Sequence, residues 1–345
     1  MRYRYFTILT SAMFLLCIPA LVPAETTEHR LRGRAMGTTY NIKVLAPATI
    51  RTTPLKVRID ALLEHLTRSM STYLEESEIS RFNRLTETAR PFAISEDFLK
   101  VMLAATDIHR LTQGAWDGTV DPLVNLWGFG RAGPIDHPPP RQEIEQALAL
   151  VGFNLIEVSL RGYLRKRLAQ VTVDLASIAK GYGVDRVARL LKDHGYADYL
   201  VELGGEVFAA GRRLDGKAWK VGINRPEKTA AASAVYKALF LEDRAMATSG
   251  DYRNFARIGD RFYSHIIDPR SGYPVSHGVV SATVVAPNCT LADGLATALM
   301  VLDAFRGVAL LNSLAEIEGL IIVRRPDGEL QDYWSRGLID RGFAK

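Results

Sequence analysis

Residues 171–191, VTVDLASIAKGYGVDRVARLL, change their apolar period in mid-course. Val171 and Val173 flank Thr172 in strand-like alternation, whereas Val184, Val187, Ala188 and Leu191 recur at helical spacing. The polar hinge between them holds Asp174, Ser177, Lys180, Gly181 and Gly183. This spacing predicts a strand that delivers Asp174 to a turn whose glycines let another molecule approach the backbone. A helix starting there would present unpaired N–H groups and a positive dipole end, a natural seat for phosphate. Lys-Gly-Tyr-Gly is neither the phosphate loop ending in Gly-Lys-Ser/Thr nor the three-glycine dinucleotide fingerprint. On the local pattern alone, Asp174 as a helix cap and Lys180 as a solvated first-turn residue read equally well.

Nearer the N-terminus, Ala35 to Tyr40 leads into a strand at Asn41 to Val44, and Leu55 to Met70 carries Leu55, Ile59, Leu62, Leu63 and Leu66 on one helical face. A short helix is expected around Glu78 to Phe82. Ser95 caps the next one, which runs to about Leu111 with Phe98, Val101, Met102, Ala105 and Ile108 inward. Residues 131–141, with Pro138, Pro139 and Pro140, read as an exposed extended loop, an insertion or a boundary between two lobes. Beyond the hinge come β-type runs at Tyr199 to Leu203, Val207 to Ala209, Trp219 to Ile223, Val235 to Leu241, Phe262 to Ile267 and Val279 to Val285. Only the central unit alternates strand with helix, so the expected class is α+β with mainly antiparallel sheets and flanking helices.

The 345 residues, 48% of them apolar, suffice for a proper core. The net charge of +5 comes without a dense basic run or an aromatic-interleaved stripe, which argues against a nucleic-acid partner. Arg2 and Arg4, an apolar run from Phe6 to Ile18, and Val22-Pro23-Ala24 read as an export signal over residues 1–24, leaving 25–345 as the mature domain. The run is short for a membrane span, and Leu16 before Cys17 is bulky for a lipid-attachment site. After cleavage only Cys289 remains, so no internal disulfide forms, and its place before an apolar helix suggests a buried small residue.

Further constellations carry chemistry. Leu203-Gly204-Gly205-Glu206 places two glycines between strands, either for close approach of a ligand or for a bulge or tight turn. His265 lies one step from a strand end before the Asp268-Pro269 turn, where a histidine can take a proton near neutral pH or serve a structural role. Asp293 and Thr297 are four residues apart, so their oxygens share one helix face. With phosphate oxygens and water they would suit Mg²⁺, although Thr290 and Asp293 also resemble a capping box.

Taken together, Ala35-Met36-Gly37-Thr38, Met70-Ser71-Thr72-Tyr73 with Ser77-Glu78-Ile79, Val120 to Leu123, Asp174 to Gly181, Leu203-Gly204-Gly205, Thr248 to Tyr252, Ser264 to Pro269 and Asp293 to Thr297 resemble, in order, the FAD:protein FMN transferases, the ApbE family. The resemblance implies a T-fold-like flavin transferase architecture. It also implies a periplasmic, Mg²⁺-dependent enzyme that moves the FMN half of FAD onto a Ser or Thr hydroxyl of an acceptor protein and releases AMP. Family roles then fall on Met36, Tyr73, Ala115, Trp116, Asp117, Asp174 and Lys180 for FAD, on Ser177, Asp293 and Thr297 for the metal, and on His265 for activating the acceptor. Acceptors implied by the resemblance are flavin-bearing subunits of exported or inner-membrane electron-transfer complexes, such as sodium-pumping NADH:quinone reductase or the Rnf complex, or a regulator of nitrous oxide respiration. A Mg²⁺-dependent FAD pyrophosphatase and a non-catalytic periplasmic flavin-binding protein are the alternatives.

Overall fold

The computed structural model describes residues 25–227, 234–251, 255–258 and 261–340. The expected export signal with Cys17, and Tyr252 of the 248–252 motif, lie outside the described residues.

In chain order, β1 (Thr26–Ala35) and β2 (Thr38–Pro47) are followed by α1 (Thr53–Met70), α2 (Glu78–Arg84), β3 (Phe92–Ala93), α3 (Glu96–Leu111), α4 (Asp121–Leu126) and α5 (Arg141–Leu148). Then come β4 (Ile156–Ser159), β5 (Tyr163–Lys166), α6 (Ala176–Asp193), β6 (Tyr199–Leu203), β7 (Glu206–Ala210), β8 (Trp219–Asn224), β9 (Val235–Leu241) and β10 (Arg244–Gly250). The chain continues through β11 (Phe255–Ile258), β12 (Arg261–Ser264), β13 (Val279–Ala286), α7 (Cys289–Val301), α8 (Ala304–Ser313), β14 (Glu318–Arg324), β15 (Leu330–Trp334) and α9 (Arg336–Asp340).

Eight strands form the main sheet in the order β1-β2-β6-β7-β10-β13-β14-β15, and each neighbouring pair is antiparallel. The expected α+β class with mainly antiparallel sheet is therefore observed. Alternation along the strands gives the sheet two faces. Tyr40, Ile42 and Val44 of β2, Val201 and Leu203 of β6, and Ala282 and Val284 of β13 pack against α1, α3, α6 and α7. On the opposite face Val207, Ala209, Met246, Val285, Leu320 and Ile322 pack against Trp219, Ile223, Leu239 and Leu241 of the β8–β9 hairpin. With both faces covered, every residue of β13 is buried.

The helical faces read from the sequence are the buried ones, except that Leu62 of α1 is half-buried against the core. In α3 the inward residues are Phe98, Val101, Met102, Ala105 and Ile108, and the Ser95 hydroxyl accepts the N–H of Phe98. The expected strand at Phe262 to Ile267 is shorter: β12 ends at Ser264 and Ile267 makes only an isolated bridge to Pro274.

The central unit departs from expectation twice. Val171 and Val173 are buried as their alternation predicts, but residues 171–175 join no sheet. A side chain takes the place of a partner strand: Asn83 donates to the Val173 carbonyl and accepts the Val173 N–H, both at 2.8 Å. An amide side chain carries the same donor and acceptor as a peptide, so it satisfies both buried backbone groups. The second departure is that Gly181 and Gly183 lie inside α6, where they serve helix packing and form no ligand-embracing turn.

The segment entering α6 is anchored by Lys166, which is buried with its ammonium donating to the carbonyls of Asn83, Leu85 and Ala169 at 2.8, 2.9 and 3.1 Å. Replacing Lys166 with Met keeps the apolar stem and leaves three carbonyls without donors, so Lys166→Met is expected to cost about 2–3 kcal/mol in urea unfolding at pH 7. Burial lowers the Lys166 amine from 10.5 to about 8 in the folded chain. Folding therefore favours the neutral amine, and the stability of the native chain relative to Lys166→Met should be flat below pH 8 and rise between pH 8 and 10.5. A difference that falls over that interval would contradict this.

Candidate active site

The contact between α6 and α7 sets the geometry. A Cβ on Gly181 would lie 2.4 Å from the Cys289 carbonyl oxygen and 2.8 Å from Asp293 Cβ, so only glycine permits this approach. The Gly181 N–H donates to Asp293 Oδ2 at 3.0 Å. One turn further on, the Asp185 carboxylate accepts the N–H groups of Cys289 and Thr290 at 2.7 and 2.8 Å and the Thr290 hydroxyl at 2.5 Å. Asn288 caps α7 through the Leu291 N–H, so Thr290 and Asp293 form no capping box. Cys289 is fully buried, as read from the sequence, and burial raises its thiol well above the ordinary value.

Asp293 thereby stands beside the first turns of α6, with Oδ2 3.7 Å from Lys180 Nζ. Lys180 Nζ also lies 3.5 Å from Glu206 Oε1 and donates to the Ala176 carbonyl at 3.2 Å. Burial works against each of these charges. It raises the Asp293 carboxyl despite the lysine, and together with the charge of Asp293 it pushes Glu206 up to about 8. Burial also opposes the Lys180 ammonium, but the two carboxylates outweigh it and raise the lysine.

A cavity of about 500 Å³ opens over this cluster and is lined among others by Ala115, Trp116, Asp117, Asp174, Ser177 and Lys180. Glu206, His265, Asp293 and Thr297 line it as well. Trp116 Nε1 donates to Ser177 Oγ at 3.0 Å, and Thr297 Oγ1 is 3.3 Å from Ser249 Oγ. Asp174 accepts the Ala176 N–H at 2.7 Å, which ties it to the start of α6 as well as to the wall of the cavity. The Asp117 carboxylate turns inward: it accepts from Thr119 and from the Phe153 N–H and lies 3.2 Å from His109 Nδ1. It braces the 115–119 turn, of which Ala115, Trp116 and Asp117 line the cavity.

His265 enters from the other side. Trp127 donates to the Gly272 carbonyl at 2.8 Å and packs with Leu123, Ile144, Ile258 and Ile267, which ties the 265–272 turn to α4 and α5. His265 Nδ1 is 2.9 Å from the buried Asp251 carboxylate. A proton held on Nδ1 makes Nε2 the basic nitrogen.

Two expected FAD residues lie apart from this cavity. Tyr73 is 88% exposed on an adjoining hollow of about 680 Å³, which shares Asp121, Val124, Phe129 and Asp174 with the central one. The Arg131 guanidinium lies 5.3 Å from the Tyr73 ring centre. Met36 occupies the β1–β2 turn with φ +49°, beside Gly33, Lys56 and Asp60 in a separate hollow, and its sulfur packs over Gly183.

Sequence reasoning missed Glu206, Asp251 and Asp185. Glu206 and Asp251 fall inside motifs quoted for their neighbours, and Asp185 is four residues past Gly181, the spacing that aligns it along the α7 contact.

A sequence model of the ApbE family matches residues 36–321. The chain belongs to the ApbE family. It is 41% identical over 311 residues to the FAD:protein FMN transferase of Haemophilus influenzae, covering 88% of this chain and 89% of that protein. It is 42% identical to the Vibrio cholerae enzyme of the same name, covering 92% and 93%. Among solved structures, the flavin transferase ApbE from Vibrio cholerae superposes with a TM-score of 0.81 at 41% identity over 92% of this chain and 99% of that one. The apo flavinyl transferase ApbE of Pseudomonas stutzeri gives 0.81 at 33% identity over 93% and 98%.

Gly181→Ala should push the two ApbE-family helices apart and cost about 2–3 kcal/mol, measured by urea unfolding. Unchanged stability would mean that the α6–α7 contact is looser than described.

Proposed function

We propose that this chain is a Mg²⁺-dependent FAD:protein FMN transferase that joins FMN to a Ser or Thr hydroxyl of an acceptor protein through a phosphoester and releases AMP. The observation that carries the reading is one cavity holding an ammonium, a helix N-terminus, a cluster of hard oxygen donors and a carboxylate-oriented histidine. The names of relatives at 41% and 42% identity support the transfer of FMN from FAD to a protein.

The donor set fits Mg²⁺. Among the described residues no group of three His, Cys, Asp or Glu gathers as a metal cage. Mg²⁺ instead favours one or two carboxylates with hydroxyls, water and substrate phosphates. Asp293, Thr297 and Ser177, which line the same cavity, would hold it. When bound, the ion neutralises charge that grows on the diphosphate.

The chain's own residues do the rest. Lys180 and the first turn of α6 meet the diphosphate and fix it for in-line attack. Asp251 holds His265 in the tautomer whose Nε2 accepts the proton of the acceptor hydroxyl. The hydroxyl oxygen forms a bond to the FMN phosphorus, the bridging P–O bond breaks, and AMP departs with the bonding electrons. Buried side chains around Trp116 and Phe129 limit water, which would otherwise take the acceptor's place.

We further propose one catalytic domain over 25–345, exported to the periplasm, with acceptors in exported or inner-membrane electron-transfer complexes. No helix among the described residues is long and apolar enough to cross a membrane.

Purified protein incubated with FAD, Mg²⁺ and a flavoprotein subunit should leave flavin fluorescence covalently on the subunit in denaturing gels. Free FMN alone would favour a pyrophosphatase, and neither product a binding protein. Asp293→Ala should abolish Mg²⁺-dependent transfer with the fold intact by circular dichroism; unchanged turnover would remove the metal assignment. His265→Ala should slow transfer by about 10²–10⁴-fold with FAD binding retained, and loss of binding would indicate a structural role.

A further inference from the structure

Glu206 opens β7 directly after the two-residue turn Gly204-Gly205, in which both glycines have positive φ, +66° and +106°. Its partner across the hairpin is Leu203, so the turn fixes where the carboxylate emerges. A Cβ on Gly204 would lie 2.8 Å from Thr38 Cγ2 and 3.3 Å from Lys180 Cδ, which means that the turn and the lysine stem pack directly on one another. Glu206 is buried, its Oε1 faces Lys180 Nζ at 3.5 Å, and its Oε2 has no hydrogen-bond partner. A buried carboxylate with one oxygen unsatisfied adds little to stability, so its retention calls for another reason.

The arrangement around the ammonium supplies one. Lys180 Nζ is surrounded by the Ala176 carbonyl at 3.2 Å, Glu206 Oε1 at 3.5 Å and Asp293 Oδ2 at 3.7 Å. A flexible four-carbon stem thus has its ammonium held by three oxygens of the chain itself, which lowers the ordering that binding would otherwise demand. Glu206 thus shares the ammonium with Asp293, the carboxylate assigned to the cation.

We propose that Glu206 is a positioning residue that acts through Lys180, aiming the ammonium at the diphosphate of the dinucleotide. The proposal rests on the transferase reading for the identity of the ligand. Oε2 is then the oxygen left to hydrogen-bond the bound ligand or its water.

The test is a double-mutant cycle of Glu206→Gln and Lys180→Met, read as FAD affinity by quenching of flavin fluorescence, with Mg²⁺ present and no acceptor. Glu206→Gln should weaken FAD binding about fivefold to twentyfold in the native background and less than about twofold in Lys180→Met. The Mg²⁺ midpoint of binding and the melting temperature should stay unchanged. Equal factors in the two backgrounds, no effect in the native one, or a shifted Mg²⁺ midpoint that marks Glu206 as a cation ligand would each overturn the proposal. Should Glu206→Gln fold poorly, Glu206→Asp, which withdraws the carboxylate by one methylene, runs the same cycle with the same criteria. A chain that shows the coupling yet transfers no flavin would sink the transferase reading alone.

Discussion

The Gly181 N–H donates to the Asp293 carboxylate across the contact of α6 with α7, and that contact brings Asp293 beside Lys180 in the cavity. It forms only because residue 181 lacks a side chain, which brings the α7 backbone within reach of α6. One consequence is electrostatic. A carboxylate fixed among buried atoms is costly unless compensated, and the compensation is built from the same helix: Lys180 is the neighbour of Gly181 in sequence. A second consequence is geometric. Ser177 precedes Lys180 by three residues on α6, and Thr297 follows Asp293 by four on α7, so one helix contact lines up four polar groups along one wall.

The sheet is shaped to allow that contact. Ala245 and Ala247 of β10 and Ala282 and Ala286 of β13 are small where α7 lies over them. The helix itself is buried around most of its circumference, including Ala292, Leu295, Ala296, Leu299 and Met300. Asp185 holds its first turn in place of solvent. A charged group carried by such a helix has little freedom, which suits a site that must hold a diphosphate in line with an attacking hydroxyl.

Much of this was legible in the sequence. Helical spacing identified the buried faces of α1, α3 and α6 because those faces meet one continuous core, and strand spacing found β6, β8, β9 and β13. Asp174, Ser177, Lys180, His265, Asp293 and Thr297 were singled out as residues and the fold brings them onto one cavity. What stayed hidden depends on contacts distant in sequence. The segment at Val171 to Val173 has strand-like burial without a sheet, because its hydrogen-bonding partner is a side chain 90 residues earlier. Gly181 and Gly183 look like turn residues until the opposing helix is known. Strand β10, Arg244 to Gly250, is rich in alanine, serine and threonine, with Met246 its one large apolar residue and no β-branched aliphatic or aromatic residue to mark a strand. Asp251 and Glu206 carry no spacing signal, since each acts on a residue reached only through the fold.

Residues of α6 and α7 must converge on the same diphosphate. Crystals grown with FAD and Mn²⁺ in place of Mg²⁺, measured at the manganese absorption edge, test this directly. The expected result is an anomalous peak roughly 2 Å from oxygens of Asp293 and Thr297, with the diphosphate in contact with both that ion and Lys180 Nζ. A peak elsewhere, or a diphosphate that reaches the ion but not the lysine, would contradict it.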